Sequence, residues 1–329
     1  MVVIVKYGYI LYPERMFNRT KVFGWGSNDY IGNYHIMREI ISKLVGWQEC
    51  SLADYSSAFH MYGGNCCTNP VLLRFLQRNT PEKYRFYSKS EADKIKAAIF
   101  INTSGDFCLP GKYNNIVSAD EIVFPIERTT KVILPYKSKK ISSLIRYNCL
   151  NCLPSYLNKR RICLIKEDFS VKSKRNRRNE LNKFIKNGGE VIPASHYSPQ
   201  EICNIYNNLF KKRWGVGLDS KCIDNIFNFI SENPEMLFGN VLEIFGKPCA
   251  YDLIIKSASP RWISFDIPNG GVDPKFNKLS VGSVLMWVNT QQAISLCKNE
   301  RKKIHFSLGS PTMPYKIRWS TPNYLFRTL

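Results

Sequence analysis

The sequence predicts a mixed α+β protein built as two domains, and three observations carry that expectation. At 329 residues the chain exceeds one ordinary core and suits two domains of roughly 150 residues each. Helical and strand-like hydrophobic periods alternate in both halves, and the strands follow one another closely through turn residues, which favours mainly antiparallel sheets flanked by helices. Residues 138–154, rich in Ser, Asn and Cys, look like the connection, and beyond them the charge turns strongly positive. The expected division is an N-terminal extension over 1–36, a first domain over 37–158 and a second over 159–329.

Residues 1–36 are rich in Tyr, Gly and Asn and show no sustained period, whereas Met37 opens a helical pattern at once (Ile40, Ile41, Leu44, Val45). Translation could start at either Met1 or Met37. Two short helices are expected over 54–59 and 69–76 around Gly63-Gly64, the second with Asn69 as N-cap and Pro70 at its first position. Strands are expected over 83–89, 95–102 and 121–126. Asp54, His60 and Asp106 read as surface or turn residues, so the first half is mixed α and β without converging chemistry.

Lys159-Arg160-Arg161, Lys172, Lys174, Arg175, Arg177, Arg178, Lys183 and Lys186 then place cations on and before one helix. That helix has Ser173 as its expected N-cap, Leu181, Phe184 and Ile185 as its buried stripe and Gly188-Gly189 as its stop. Ser198-Pro199-Gln200-Glu201 is a capping box opening a helix with Ile202, Ile205, Tyr206, Leu209 and Phe210 at helical spacing. A second helix runs from Asp219 to Asn233-Pro234. Strands over 237–245, 249–256 and 262–267 follow, the first pair joined by a hairpin at Gly246-Lys247. The third breaks at Pro268-Asn269-Gly270-Gly271 and leads to a helix opening at Ser280-Val281-Gly282-Ser283, an arrangement that converges backbone N–H groups on a phosphate. A strand over 303–308 and a segment through Tyr315-Lys316 and Trp319 end the chain.

Net charge +21 concentrates anionic partners: nucleic acid, lipid headgroups or phosphorylated small molecules. Eleven scattered cysteines suit reduced thiols in the cytoplasm. Cys149-x-x-Cys152 has no second pair at zinc spacing, so no metal site is expected. No apolar run of about 18 residues offers a transmembrane helix. Sequence-specific DNA binding is disfavoured, because the basic helix adjoins no helix-turn-helix pattern. There is no His-Glu-x-x-His, no Walker loop and no Gly-x-Ser-x-Gly elbow.

The order of the second half (strand, two helices, three antiparallel strands, helix, strand) resembles the GNAT acyltransferase fold. The basic helix ending in Gly188-Gly189, the Gly282-Ser283-Val284-Leu285 turn and the Tyr315-Lys316-x-x-Trp319 ending resemble its FemAB-like branch, in which two GNAT-like domains sit in tandem. The first half would then be a degenerate copy. Closer still, Gly63-Gly64-Asn65 with Asn69-Pro70, residues 121–126, 247–252, 265–274 and 282–287 resemble the Mig family (macrophage-inducible gene fourteen) of enteric bacteria. That resemblance implies resistance to cationic antimicrobial peptides and association with the inner membrane; some members are labelled transcription activators.

The resemblance puts the acyl donor against Phe265 and Ile267 of the fourth strand and over Lys278, Ser280, Gly282 and Ser283. No tightly bound cofactor is implied; the donor is an anion, acyl-coenzyme A or aminoacyl-tRNA. At the position where GNAT enzymes carry Arg or Gln, this chain has Leu279, with Lys278 one residue earlier. For transfer to an amine, Asp252 and Asp266 are the candidate bases, each flanked by apolar residues that would raise its pKa, or else each bonds a loop structurally. Backbone N–H groups of 265–267 are candidate oxyanion donors. Tyr315 and Lys316, just past the fifth strand, are candidates for the general acid, with Lys316 as an alternative phosphate or carboxylate contact. His305, set between Ile304 and Phe306, reads as structural. The readings from other classes are a non-catalytic basic protein resting on the inner membrane and a nucleic-acid-binding regulator.

Overall fold

The computed structural model describes residues 37–107, 109, 115–154 and 160–329, so the extension over 1–36 lies outside the described residues. A helix over 37–44 (α1) leads to β1 (Gln48–Cys50). The helix α2 (Leu52–Tyr62) starts before the expected 54–59, at a capping box of Ser51 and Asp54, whereas Asn69 caps α3 (Pro70–Asn79) with Pro70 in its first turn, as the spacing predicts. The hairpin of β2 (Tyr84–Glu91) and β3 (Lys94–Asn102) joins β1 in an antiparallel sheet. The strand expected over 121–126 is instead extended chain held by single bridges, Ala97 to Ile126 and Ile122 to Ile141. Ile122, Val123, Phe124 and Ile126 are all buried there, which leaves no exposed face to alternate with.

β4 (Cys152–Pro154) and β5 (Arg161–Ile165) precede the basic helix α4 (Val171–Lys186). Ser170 rather than Ser173 is its cap, its Oγ accepting from the Ser173 N–H at 3.2 Å. Then come β6 (Gly189–Pro193), α5 (Pro199–Trp214) with the expected Ser198–Glu201 capping box, and α6 (Ser220–Glu232) capped by Asp219. The three strands that follow are kinked into shorter pieces: β7 (Leu237–Phe238), β8 (Asn240–Ile244), β9 (Lys247–Asp252), β10 (Ile254–Ala258), β11 (Trp262–Asp266) and β12 (Gly270–Val272). The helix α7 (Val281–Asn299), β13 (Lys303–Ser307), α8 (Pro314–Trp319), β14 (Ser320–Tyr324) and β15 (Phe326–Thr328) complete the chain.

The kinks divide the second half into a six-stranded sheet, β14-β5-β13-β11-β10-β7, and a four-stranded one, β12-β9-β8-β6. Among the described strand pairs only β11 and β13 run parallel. α+β architecture with mainly antiparallel sheets is therefore what the chain adopts, and the two halves share their largest core. Tyr55, Phe75 and Phe100 belong to one buried cluster with Tyr206, Phe229, Tyr251 and Trp262. The segment Gly63-Gly64-Asn65 to Pro70 is the seam. Trp262 Nε1 donates to Gly64 O at 2.7 Å, Asn69 Nδ2 to Ser257 Oγ at 2.8 Å, and the Cys66 thiol to Ile255 O at 3.2 Å. At the far end β15 returns to pair with β4. The described cysteines are all free thiols.

Candidate active site

The site begins where two neighbouring strands part. β11 and β13 pair from Trp262–Lys303 to Asp266–Ser307, and the Ile267 N–H still donates to Ser307 O at 3.2 Å. Beyond that point the chain after β13 turns toward β5, with Leu308 N donating to Cys163 O, while β12 stays with β9. The register passes from Ile255–Asp266 to Asp252–Gly270, so one extra residue is inserted at 267–269, a β-bulge that re-aims the strand. β12 is left as the edge strand of its sheet. The backbone of Phe265 and Ile267 is thus spent inside the sheet, and the sheet's edge lies further along the chain, at β12, where Asn269 and Arg213 bond the Gly270 backbone. Phe265 itself is buried between Phe238 and Phe306.

The glycine pair expected in a phosphate-holding loop forms this edge strand, and close approach is what demands it. A Cβ on Gly270 would lie 1.7 Å from Asp252 Oδ1, and one on Gly271 would lie 2.3 Å from the backbone of Leu209 in α5. Asp252 therefore sits directly over the Gly270 backbone. It is buried, receives no hydrogen bond among the described residues, and burial pushes its pKa up to about 6 against the pull of Arg213. Arg213, in the last turn of α5, donates to Gly270 O at 3.1 Å and lies 5.8 Å over the Tyr315 ring. Burial and Asp252 raise the Tyr315 pKa, and Arg213 opposes them. Asp252, Arg213 and Tyr315 form one electrostatic unit at the strand divergence. Sequence reasoning missed Arg213, whose only local signal is a basic residue at a helix C-terminus.

Asp266 is placed differently. Its Oδ2 accepts from Ser118 N at 2.5 Å and its Oδ1 from Ser118 Oγ at 2.7 Å, so it ties the second half to a loop of the first. Burial still pushes its pKa up to about 6, with the Ser118 bonds opposing and Asp120 and Glu121 adding. Lys316, half-buried, donates to Ser310 O at 3.0 Å; burial lowers its pKa, while Asp120 and Asp266 act against the shift. Asp120 in turn accepts from Ser310 N at 2.9 Å. The first half, expected to bring no converging chemistry, supplies Ser118, Asp120 and Glu121 here.

Glu121 Oε2 meets His305 Nε2 at 2.8 Å, with both side chains buried. Burial alone would lower the His305 pKa and raise that of Glu121, but their mutual attraction outweighs it, leaving His305 above its ordinary 6.5 and Glu121 below 4.5. The His305 contribution to stability is complete below pH 6.5 and is lost as pH rises through its folded pKa. That of Glu121 is complete above pH 4.5 and is lost as pH falls through its folded pKa. The melting-temperature gap between the wild type and the double variant Glu121→Gln, His305→Gln should therefore be widest between these two values. A gap that keeps widening above pH 7 would refute the pairing.

The remaining candidates surround the start of α7. Ser280 is in the left-handed region at φ 53° and makes no side-chain cap. Lys278 and Gly282 are exposed, and the Lys278 carbonyl accepts from Lys183 Nζ at 3.2 Å. The Ser283 hydroxyl is taken by Arg177, which also pairs with Glu180 at 2.6 Å and lies 4.8 Å over the Trp319 ring. The basic helix is thus packed beside the first turn of α7, which the sequence alone did not disclose.

A bulged fourth strand diverging from the fifth, two helices after the first strand and a helix after the divergence define a GNAT-type acyltransferase fold of the tandem, FemAB-like kind. The chain is similar to the structure of FemX, at 8% identity over 86% of this chain and 97% of that one, with a TM-score of 0.53. Residues 69–328 match the Mig-14 family model, and the chain belongs to the Mig-14 family. Weaker likenesses run to the C-terminal domain of an Agrobacterium fabrum protein named as a lysylphosphatidylglycerol synthetase (13% identity, 58% of this chain, TM-score 0.38) and to a tandem GNAT protein of clavulanic acid biosynthesis (8%, 86% of this chain and 97% of that one, 0.42). The chain covers 66% of the former, just under two thirds. No curated protein sequence matches it.

Proposed function

We propose that this protein transfers an acyl or aminoacyl group from an anionic donor to an amine. The observation that carries the reading is Asp252: a buried carboxylate with no hydrogen bond among the described residues, raised to about 6, beside Arg213 and Tyr315 at the edge strand β12. Asp252 would take the proton of the attacking amine as the carbon–nitrogen bond forms. The bond from the carbonyl carbon to the donor's sulfur or oxygen then breaks, and the leaving atom takes the Tyr315 proton. Lys278, Ser280, Gly282 and the first N–H groups of α7 would face the donor's phosphates, with Lys183 and Arg177 behind them. An acyl-coenzyme A or an aminoacyl-tRNA would meet the same cations. The family's link to cationic antimicrobial peptides fits such chemistry, since acylating an envelope or peptide amine removes or rearranges charge.

Isothermal titration with acetyl-coenzyme A and with aminoacyl-tRNA tests the reading. Saturable binding of one donor, weakened at least tenfold by Gly282→Asp, is expected; silence with both removes the enzyme reading.

A second reading, a basic protein resting on the cytoplasmic face of the inner membrane, draws on a different surface. Val171, Ile185 and Phe245 are 84%, 49% and 79% exposed, and α4 adds exposed Lys172, Arg175, Arg178 and Lys186. Apolar side chains among cations suit an anionic lipid surface, at about 1 kcal/mol per engaged cation. Among the described residues no helix is long and apolar enough to cross a membrane. Flotation with vesicles containing anionic lipid should weaken with salt and with Phe245→Ser; flotation equal on neutral vesicles would dismiss this reading.

A further inference from the structure

We infer that a cationic cleft at the seam of the two halves, lined by none of the residues assigned to acyl transfer, binds a small diphosphate-bearing ligand. The cleft has a volume of about 520 Å³, the size of a site for a nucleotide-scale molecule, and its walls include Lys137, Lys139, Lys140, Arg160, Arg327 and Asp106. Five cations thus line the cleft together with Asp106 and the carboxyl end of Leu329.

They come from three separated stretches of chain, and main-chain bonds hold the stretches together. Thr328 N donates to Ser138 O at 3.0 Å, Ser138 N to Thr328 Oγ1 at 2.8 Å, and Leu325 N to Arg160 O at 3.2 Å. Phe326 and Ile141 exchange backbone bonds at 2.8 and 3.1 Å. The backbone that carries the cations is therefore held in place rather than forming a free tail.

Three of the five also carry unspent charge. Among the described residues Lys139, Lys140 and Arg327 take part in no ion pair, and Lys140 Nζ meets only a neutral carbonyl, Ala119 O, at 2.7 Å. Arg327 Nε is buried and has no acceptor among the described residues. A lone carboxylate would leave most of this charge uncompensated, whereas a diphosphate offers several oxygens to guanidinium and ammonium groups together. The diphosphate could be free or belong to a nucleotide, and the two sources are separable. This inference does not rest on acyl transfer.

Isothermal titration of the full chain at fixed low salt, with inorganic pyrophosphate and with ADP as probes, tests it. One-to-one binding is expected, weakened at least tenfold by Arg327→Gln and by Lys139→Gln; the latter alters an exposed side chain and keeps the test alive should the former disturb β15. The pair Lys172→Gln and Arg175→Gln on α4 should change little. ADP binding tighter than pyrophosphate would identify a nucleotide; equal affinities would identify the diphosphate alone. Absence of saturable binding overturns the inference, as does loss that is equal in the two sets of variants or confined to α4.

Discussion

Asp252→Asn is expected to slow transfer about 10²- to 10⁴-fold, the usual contribution of a positioned base, and yet to leave the protein at least as stable at neutral pH. The two halves of this expectation have one cause. Burial raises the Asp252 pKa from 3.8 to about 6, so the folded state holds the proton more tightly than the unfolded chain does. Its contribution is favourable below pH 3.8 and is lost as pH rises to about 6. At pH 7 the charged, buried form then costs on the order of 3 kcal/mol relative to a neutral side chain. An amide removes that penalty together with the base. With the donor selected by titration, the wild-type rate should climb with pH through about 6, and the variant should lack this rise. A variant that loses both activity and several degrees of melting temperature at pH 7 would mark Asp252 as structural. Asp266→Asn is the contrast, because it weakens the acceptor of the Ser118 N–H and hydroxyl and should loosen the contact between the halves.

Gly271→Ala is expected to destabilise the fold by about 3 kcal/mol or more, a large effect for a single methyl group. The added carbon would stand 2.3 Å from the Leu209 carbonyl carbon, 2.5 Å from Phe210 N and 2.6 Å from Leu209 O. These are backbone atoms of a helix, so no side-chain rotation relieves the clash; α5 must move off β12 and carry Arg213 with it. Urea unfolding would show the loss as a lower midpoint. Gly246→Ala makes the control, since at φ +70° its Cβ meets nothing within 4 Å and only the left-handed strain of about 1 kcal/mol remains. Equal losses in the two variants would refute the packing account.

Much of the local structure was legible because its causes are local. Ser198 and Glu201 cap each other three residues apart, Asn69-Pro70 opens α3 wherever the helix lies, and the left-handed Phe245 and Gly246 turn the β8–β9 hairpin. Strand bounds were less legible. The bulge at 267–269 and the kink at Leu253 are set by which neighbour each residue meets, and residues 121–126 look strand-like only because every side chain there is buried.

The candidate site divides in the same way. By itself the sequence determined that Asp252 and Asp266 sit among apolar neighbours and that Tyr315 and Lys316 follow the strand over 303–308, since composition and order along the chain are all those statements require. Their different fates were decided in three dimensions. Asp266 is bonded by Ser118 and Asp252 is left without a hydrogen bond, Arg213 reaches Gly270 across 57 positions of chain, and Glu121 meets His305 across 184. A pKa depends on burial and on charges nearby in space, and neither is a property of a residue's neighbours in sequence.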